Sequence, residues 1–126
     1  MKNWKIMETP TVSAGVSAYT GWLELTVDMG EFPKEELGRI LAAYSQKKKY
    51  YRLKSGQFLM LDKGGIFTLT KLAGELGISK KDLQSGTIRL PAYRALYLDH
   101  ILKEGPGITY YRDQLFKAMV RAVKAV

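Results

Sequence analysis

Cysteine is absent from the 126 residues, and histidine occurs once, at His100. Without cysteine there is no disulfide framework, and nothing indicates secretion. Zinc and other soft metals are held by clusters of cysteine and histidine, which a single histidine cannot supply. The sequence therefore predicts no metal site and no bound cofactor.

Long apolar runs are also absent. The first ten residues, MKNWKIMETP, lack the apolar stretch of a signal peptide. No segment approaches the roughly 18 apolar residues that span a bilayer. We therefore predict a cytoplasmic protein that is not bound to a membrane, and a nucleoid-associated one if it acts on DNA.

The sequence patterns of catalysis are missing as well. Gly64-Gly65 belongs to neither GxxxxGK[ST] nor GxGxxG, so no phosphate-binding loop is present. No serine lies in a nucleophile-elbow pattern that could pair with His100. The paired carboxylates Glu35 and Glu36 are explained by the start of a helix, where the dipole favours acidic side chains. We predict no catalytic residue, no small-molecule substrate and no ATP hydrolysis by this chain.

Positive charge is in surplus. Lysine and arginine number 20 against 12 acidic residues, which gives a net charge of +8. The surplus is distributed over both halves of the chain, so it does not reflect a disordered tail. Such a balance favours polyanionic partners, nucleic acid or an acidic protein surface, with simple solubility as the alternative.

The periodicity of apolar residues predicts an α+β fold in a single domain spanning residues 1–126. Strands are expected at 11–19 and 22–29 around a turn at Thr20-Gly21, and a two-residue loop at Ser55-Gly56 would pair Leu53 with Phe58 and Tyr51 with Met60. Further strands are expected at 87–90 and 108–112. The expected helices cover 33–47, 66–76, 79–84, 91–103 and a final stretch capped by Asp113.

Two helices carry patterns of their own. In the final helix, Leu115, Phe116, Met119, Val120 and Val123 form the predicted apolar stripe, opposite Lys117, Arg121 and Lys124. This helix reaches Val126 without a stop signal, which we interpret as a sign of a longer chain. The helix at 91–103 is expected to open at Pro91 and to pair Asp99 with Lys103. It presents Tyr93, Leu96 and Tyr97 on one face, either as core or as a docking face for a partner.

The best candidate for nucleic-acid contact is the segment KKKYYRLK at 47–54. It combines cations that can neutralise phosphates with tyrosines that can stack on bases. The candidate contact residues are Lys47, Lys48, Lys49, Tyr50, Arg52 and Lys54. A solvated helix end followed by a structural hairpin is the alternative. Residues 69–83 offer a second candidate, a helix-turn-helix, although the stretch from Ser79 to Gly86 is short for a recognition helix.

Several stretches are distinctive beyond their composition: FPKEELGRILAAY, KKKYYRLKSGQFLMLD, LGISKKDLQSG and IRLPAYRALYLD. In this order they resemble the Snf helicase-associated domain of bacterial Swi/Snf-family helicase-like ATPases over about residues 11–120. The resemblance implies a domain that lies ahead of an ATPase core, which translocates on duplex DNA using ATP. It assigns no functional residues, and Gly64-Gly65 departs from the acidic loop that is more usual in the family.

Three functions follow from these observations. The first is a non-catalytic accessory domain of a bacterial Swi/Snf-type DNA-dependent ATPase, with the ATPase core of the same longer chain and double-stranded DNA as partners. The second is an independent DNA-binding protein of the helix-turn-helix kind. The third is a purely structural protein–protein interaction module whose basic surface serves solubility.

Overall fold

The computed structural model describes residues 5–8 and 10–125. Its strands and helices form one α+β domain with two sheets, which confirms the predicted fold class. The strands are β1 Val12–Tyr19, β2 Trp22–Asp28, β3 Tyr50–Arg52, β4 Phe58–Met60, β5 Thr87–Pro91 and β6 Ile108–Arg112. The helices are α1 Leu37–Ser45, α2 Gly64–Leu76, α3 Lys80–Ser85, α4 Ala95–Glu104 and α5 Gln114–Lys124.

The larger sheet has the strand order β5-β2-β1-β6. Strands β1 and β2 form the predicted hairpin around Thr20-Gly21, where Gly21 has a φ of 82° that suits a tight turn. Strand β6 pairs with β1 in parallel, beginning with Val12 opposite Ile108. The first and the last of these strands are thus neighbours in the larger sheet.

One face of this sheet is the floor of the core. Alternate side chains of β1, β2 and β5 are buried there, as the period of two requires, and the helices pack on them. On the opposite face, Trp22 stacks on Tyr19 with ring centroids 4.3 Å apart. The Arg89 guanidinium lies 3.9 Å from the Trp22 ring centroid. The sheet therefore has a covered face and an open one.

Helix boundaries follow the local capping signals closely. The Ser79 hydroxyl accepts a hydrogen bond from Asp82 N at 3.1 Å, and Asp113 caps α5 by accepting from Phe116 N at 2.8 Å. Gly77 ends α2 at a φ of 68°. Two expected starts were wrong, because a 3₁₀ turn precedes α1, and Pro91 is the last residue of β5. Within the described residues, no helix is both long and apolar enough to cross a membrane.

Two glycines bring α2 and the turn before β6 into backbone contact. A Cβ placed on Gly107 would lie 2.1 Å from Gly65 N, and one on Gly65 would lie 2.7 Å from the Gly107 carbonyl oxygen. Gly107 also has a φ of 74°, in the left-handed region. Gly65 is therefore required for this close packing, and Gly64 has a φ of 65° that favours glycine as well.

Candidate nucleic-acid interface

The basic segment begins where α1 ends. Lys47 N donates to the Tyr44 carbonyl at 2.9 Å and Lys48 N to the Ala43 carbonyl at 3.0 Å, the two bonds of a Schellman motif. The left-handed position of that motif normally holds glycine, but Lys47 occupies it with a φ of 63°. Among the described residues, Lys47 is the one non-glycine residue with a positive φ. A lysine is thus held in a conformation that costs about 1–2 kcal/mol.

In the hairpin that follows, the pairing of the two strands is shifted by one residue from the predicted register. Leu53 N donates to the Gln57 carbonyl at 2.8 Å, so the loop holds three residues and not two. Gly56, with a φ of 94°, supplies the left-handed conformation that three-residue hairpin loops use. Tyr51 therefore pairs with Leu59, and Arg52 with Phe58.

This register determines what the hairpin presents outward. Tyr51 is directed inward, whereas Tyr50 and Arg52 are exposed together on the outer face. The Arg52 guanidinium lies 5.6 Å from the centroid of the Phe58 ring. The predicted pairing of Leu53 with Phe58 was wrong, because Phe58 shares the outer face with Arg52.

A buried carboxylate anchors the inner face of the hairpin. Glu36 accepts hydrogen bonds from the Tyr51 hydroxyl at 3.2 Å and from Lys54 N at 3.1 Å. Glu36 is almost completely buried, and its side chain makes no capping bond to α1. Glu36 does lie in the first turn as predicted, but its carboxylate bonds to the hairpin. Its role is to hold the hairpin on the body of the domain, which fixes the position of the basic side chains.

The six predicted contact residues are all exposed and lie within eight consecutive positions of the chain. They are Lys47, Lys48, Lys49, Tyr50, Arg52 and Lys54; we call them the basic edge. An open groove of about 360 Å³ adjoins its three lysines, with Tyr44 and Phe67 in its wall. The two rings meet edge to face, with centroids 6.2 Å apart. Phe67 was missed from the sequence, since only the packing of α2 against α1 brings it here.

The second predicted surface is divided by the structure. Tyr93 is 78% exposed and Leu96 is 37% exposed, while Tyr97 is half-buried. The Tyr97 hydroxyl is buried and has no hydrogen-bond partner among the residues described. The buried apolar residues of α4 are Ala95, Leu98, Ile101 and Leu102. One face of α4 thus belongs to the core, while Leu96 of α4 and Tyr93 of the 3₁₀ turn before it are exposed.

This division predicts unequal costs for two neighbouring leucines. Leu98→Ala is expected to lower the free energy of unfolding by about 2–5 kcal/mol, because the side chain is fully buried and leaves a cavity. Leu96→Ala should cost less than about 1 kcal/mol, since its partly exposed side chain creates no cavity. Urea denaturation of both variants measures the difference. Equal midpoints would contradict the assigned orientation of α4.

Asp99 is the polar residue at the centre of this packing. Its carboxylate accepts a hydrogen bond from the Tyr110 hydroxyl at 2.7 Å and forms an ion pair with Arg112 at 3.3 Å. The expected Asp99–Lys103 pair was wrong, because Asp99 turns into the core toward β6. Burial raises the pKa of Tyr110 well above its usual range, and the hydrogen bond to Asp99 raises it further.

The helix-turn-helix alternative fits the geometry poorly. Helix α3 has six residues and packs against α1 and the 3₁₀ turn before it. A Cβ on Gly38 of α1 would lie 2.7 Å from the Lys80 Cδ, so Lys80 rests on α1. A helix this short and this closely packed does not project far enough to lie along a major groove.

The potential metal ligands of the described residues are scattered over the domain. Within residues 5–8 and 10–125, no group of three or more histidine, aspartate or glutamate side chains could hold a metal ion. His100 is exposed on α4, beside Phe67 and Glu104 in a small surface groove.

Comparison with known proteins gives one match. The model of a family described as bacterial SNF2 helicase associated matches residues 1–126, which is the whole sequence. Neither the curated proteins nor the solved structures contain a match. A match over the entire length agrees with the resemblance of the four distinctive stretches. The chain therefore belongs to the bacterial SNF2 helicase associated family.

Proposed function

We propose that this chain is a non-catalytic accessory domain of a bacterial Swi/Snf-type DNA-dependent ATPase, and that it contacts duplex DNA through the basic edge. Membership of the helicase-associated family supports the association with such a motor. The observation that carries the DNA contact is the exposure of five cations and Tyr50 within one eight-residue segment. A cluster of this kind neutralises phosphates and releases counterions without reading sequence.

The conformation of Lys47 supports the same assignment. A glycine at this position would form the Schellman motif without the steric cost that a lysine bears. Backbone conformations of this kind are concentrated at functional sites, where the side chain has a task that outweighs its cost. We assign Lys47 the task of directing its ammonium group to the phosphates beside Lys48 and Lys49.

The basic edge is tested by one triple substitution. Lys47→Gly, Lys48→Ala and Lys49→Ala together are expected to flatten the log–log salt slope of duplex DNA binding by up to about 3 units, because each phosphate contact contributes about 0.9. Stability should not fall, since glycine relieves the left-handed strain at position 47. Fluorescence anisotropy with a labelled duplex, measured over a range of salt, gives the slope.

A matched variant controls for net charge. Lys80, Lys81 and Lys103 are exposed on two other helices, and changing all three to alanine removes the same amount of charge. We expect this control to leave the slope nearly unchanged. If both triple variants alter it equally, the contact is with diffuse charge and the basic edge is refuted. In a full-length motor carrying this domain, DNA-stimulated ATPase should change with the first variant only.

A further inference from the structure

Helix α5 has more apolar surface than the core covers. Five residues form its predicted apolar stripe, yet only Phe116 and Val120 are buried. Leu115 is 66% exposed and Val123 is 46% exposed, while Met119 is half-buried between them. The residues Leu115, Met119 and Val123 follow one another at four-residue spacing, so they line one side of the helix. We call these three residues the outer stripe.

The outer stripe continues into a groove at the end of the sheet. Leu115 and Met119 line it together with Ala18 and Tyr19, and the groove measures about 430 Å³. Asp113 also borders it, but its carboxylate already accepts from Phe116 N at 2.8 Å and Ala18 N at 3.3 Å. The Asp113 carboxylate is thus engaged in capping, and apart from Thr20 the remaining lining offers mainly apolar surface.

A row of cations runs along the other side of the helix. Lys117, Arg121 and Lys124 lie on α5 at three- and four-residue spacing. In the described part of the chain, none of the three forms an ion pair. The exposed surface of α5 therefore consists of an apolar stripe bordered by unpaired positive charge. Alanines at 118 and 122, also exposed, lie between the two and leave room for a second helix to approach.

The charge determines which partner fits. A second copy of this chain would bring a basic row against a basic row, because both copies present the same helix. Like charges in apposition disfavour that pairing, whereas carboxylates opposite Lys117 and Arg121 would favour a different partner. Nucleic acid would match the cations but not the apolar stripe.

We propose that the outer stripe docks an amphipathic helix of a protein partner, with an apolar face and a row of carboxylates along one edge. Such helix-in-groove recognition uses apolar anchors at i, i+3, i+4 and i+7, which Leu115, Met119 and Val123 are spaced to receive. The motor protein would supply this helix, and only that attribution rests on the proposed function. The basic edge takes no part in this contact.

The test uses two synthetic helical peptides with the same leucine and alanine face. One carries glutamate along the edge of that face, and the other carries lysine at those positions. Fluorescence anisotropy with the complete chain should show the glutamate peptide binding at least about tenfold more tightly. The double variant Leu115→Asp, Val123→Asp should lose that binding by a similar factor. Tyr93→Asp, at a still more exposed site, should retain it.

A charge reversal keeps the test independent of folding defects. Arg121→Glu changes an exposed residue, and it should shift the preference toward the lysine peptide. Absence of binding, equal binding of the two peptides, or equal effects of the double variant and Tyr93→Asp would overturn the proposal. A dimer in light scattering that Leu115→Asp dissociates would also overturn it in favour of self-association. Failure here, with the lysine triple variant still altering DNA-stimulated ATPase, would leave the proposed function standing.

Discussion

Replacing Gly107 with alanine is expected to lower the free energy of unfolding by about 2–5 kcal/mol, which would unfold much of a marginally stable domain. Two effects combine at this position. The φ of 74° disfavours any side chain, and the new Cβ would meet backbone atoms of Gly65 that cannot move independently of α2. Urea denaturation followed by circular dichroism measures the loss.

A glycine of α2 that makes no such contact provides the control. Gly74 has ordinary helical geometry, and a Cβ added there would meet no atom within 4 Å. Gly74→Ala should therefore stabilise the domain by about 0.5–1 kcal/mol, since alanine is the better helix former. If Gly107→Ala and Gly74→Ala shift the urea midpoint in the same direction, the backbone contact between α2 and the turn before β6 is wrong.

Removing the carboxylate of Asp99 should be similarly costly. Asp99→Ala leaves the Tyr110 hydroxyl and the Arg112 guanidinium without their common partner, and we expect a loss of about 2–4 kcal/mol. The expected loss of stability is smaller than for a fully buried ion pair because 27% of the Arg112 side chain is exposed to water. Asp99→Asn keeps an acceptor oxygen for Tyr110 and should lose less.

The raised pKa of Tyr110 should also make the stability of the domain depend on pH in the alkaline range. Because the pKa of Tyr110 is raised in the folded state, the folded protein retains a proton that the unfolded chain loses. The resulting contribution to the free energy of unfolding is fully present below the ordinary tyrosine pKa of about 10 and is lost as the pH rises above it. Wild type should therefore lose more stability than Tyr110→Phe between about pH 9 and about pH 11. Identical losses would show that Tyr110 does not titrate differently on folding.

Local signals in the sequence predicted local structure well. The turn at Thr20-Gly21, the end of α2 at Leu76 and the cap at Asp113 all lie where they were expected. Each depends on residues within a few positions of one another, so the sequence contains all that is needed. The exposure of the basic edge follows in part from the same logic, because its charges favour solvent.

Contacts between residues far apart in the sequence could not be predicted from local patterns. Glu36 has the sequence context of a helix start, but its partners lie 15 and 18 residues further along. Asp99 has a lysine four residues away and bonds instead to β6. The apolar stripe of α5 was recognised, but periodicity shows which side chains share a face and not how much of that face the sheet covers.

The hairpin error has a narrower cause. Two- and three-residue loops both accommodate a glycine, and the choice between them changes the register by one residue. The sequence favoured Ser55-Gly56 as the loop, whereas the structure includes Lys54 as well. The inward side chains Tyr51 and Leu53 were unaffected, because both belong to the first strand. Phe58 and Met60 of the second strand were assigned to the wrong face.

The parallel pairing of β1 with β6 has a consequence for how the chain folds. Most of the polypeptide lies between Val12 and Ile108, so this pairing closes a very long loop. During synthesis, β1 and β2 can form their hairpin early, but the edge of β1 stays unpaired until β6 emerges from the ribosome. Completion of the sheet should therefore be the slow step of folding, and the interval before it the period of greatest exposure to aggregation.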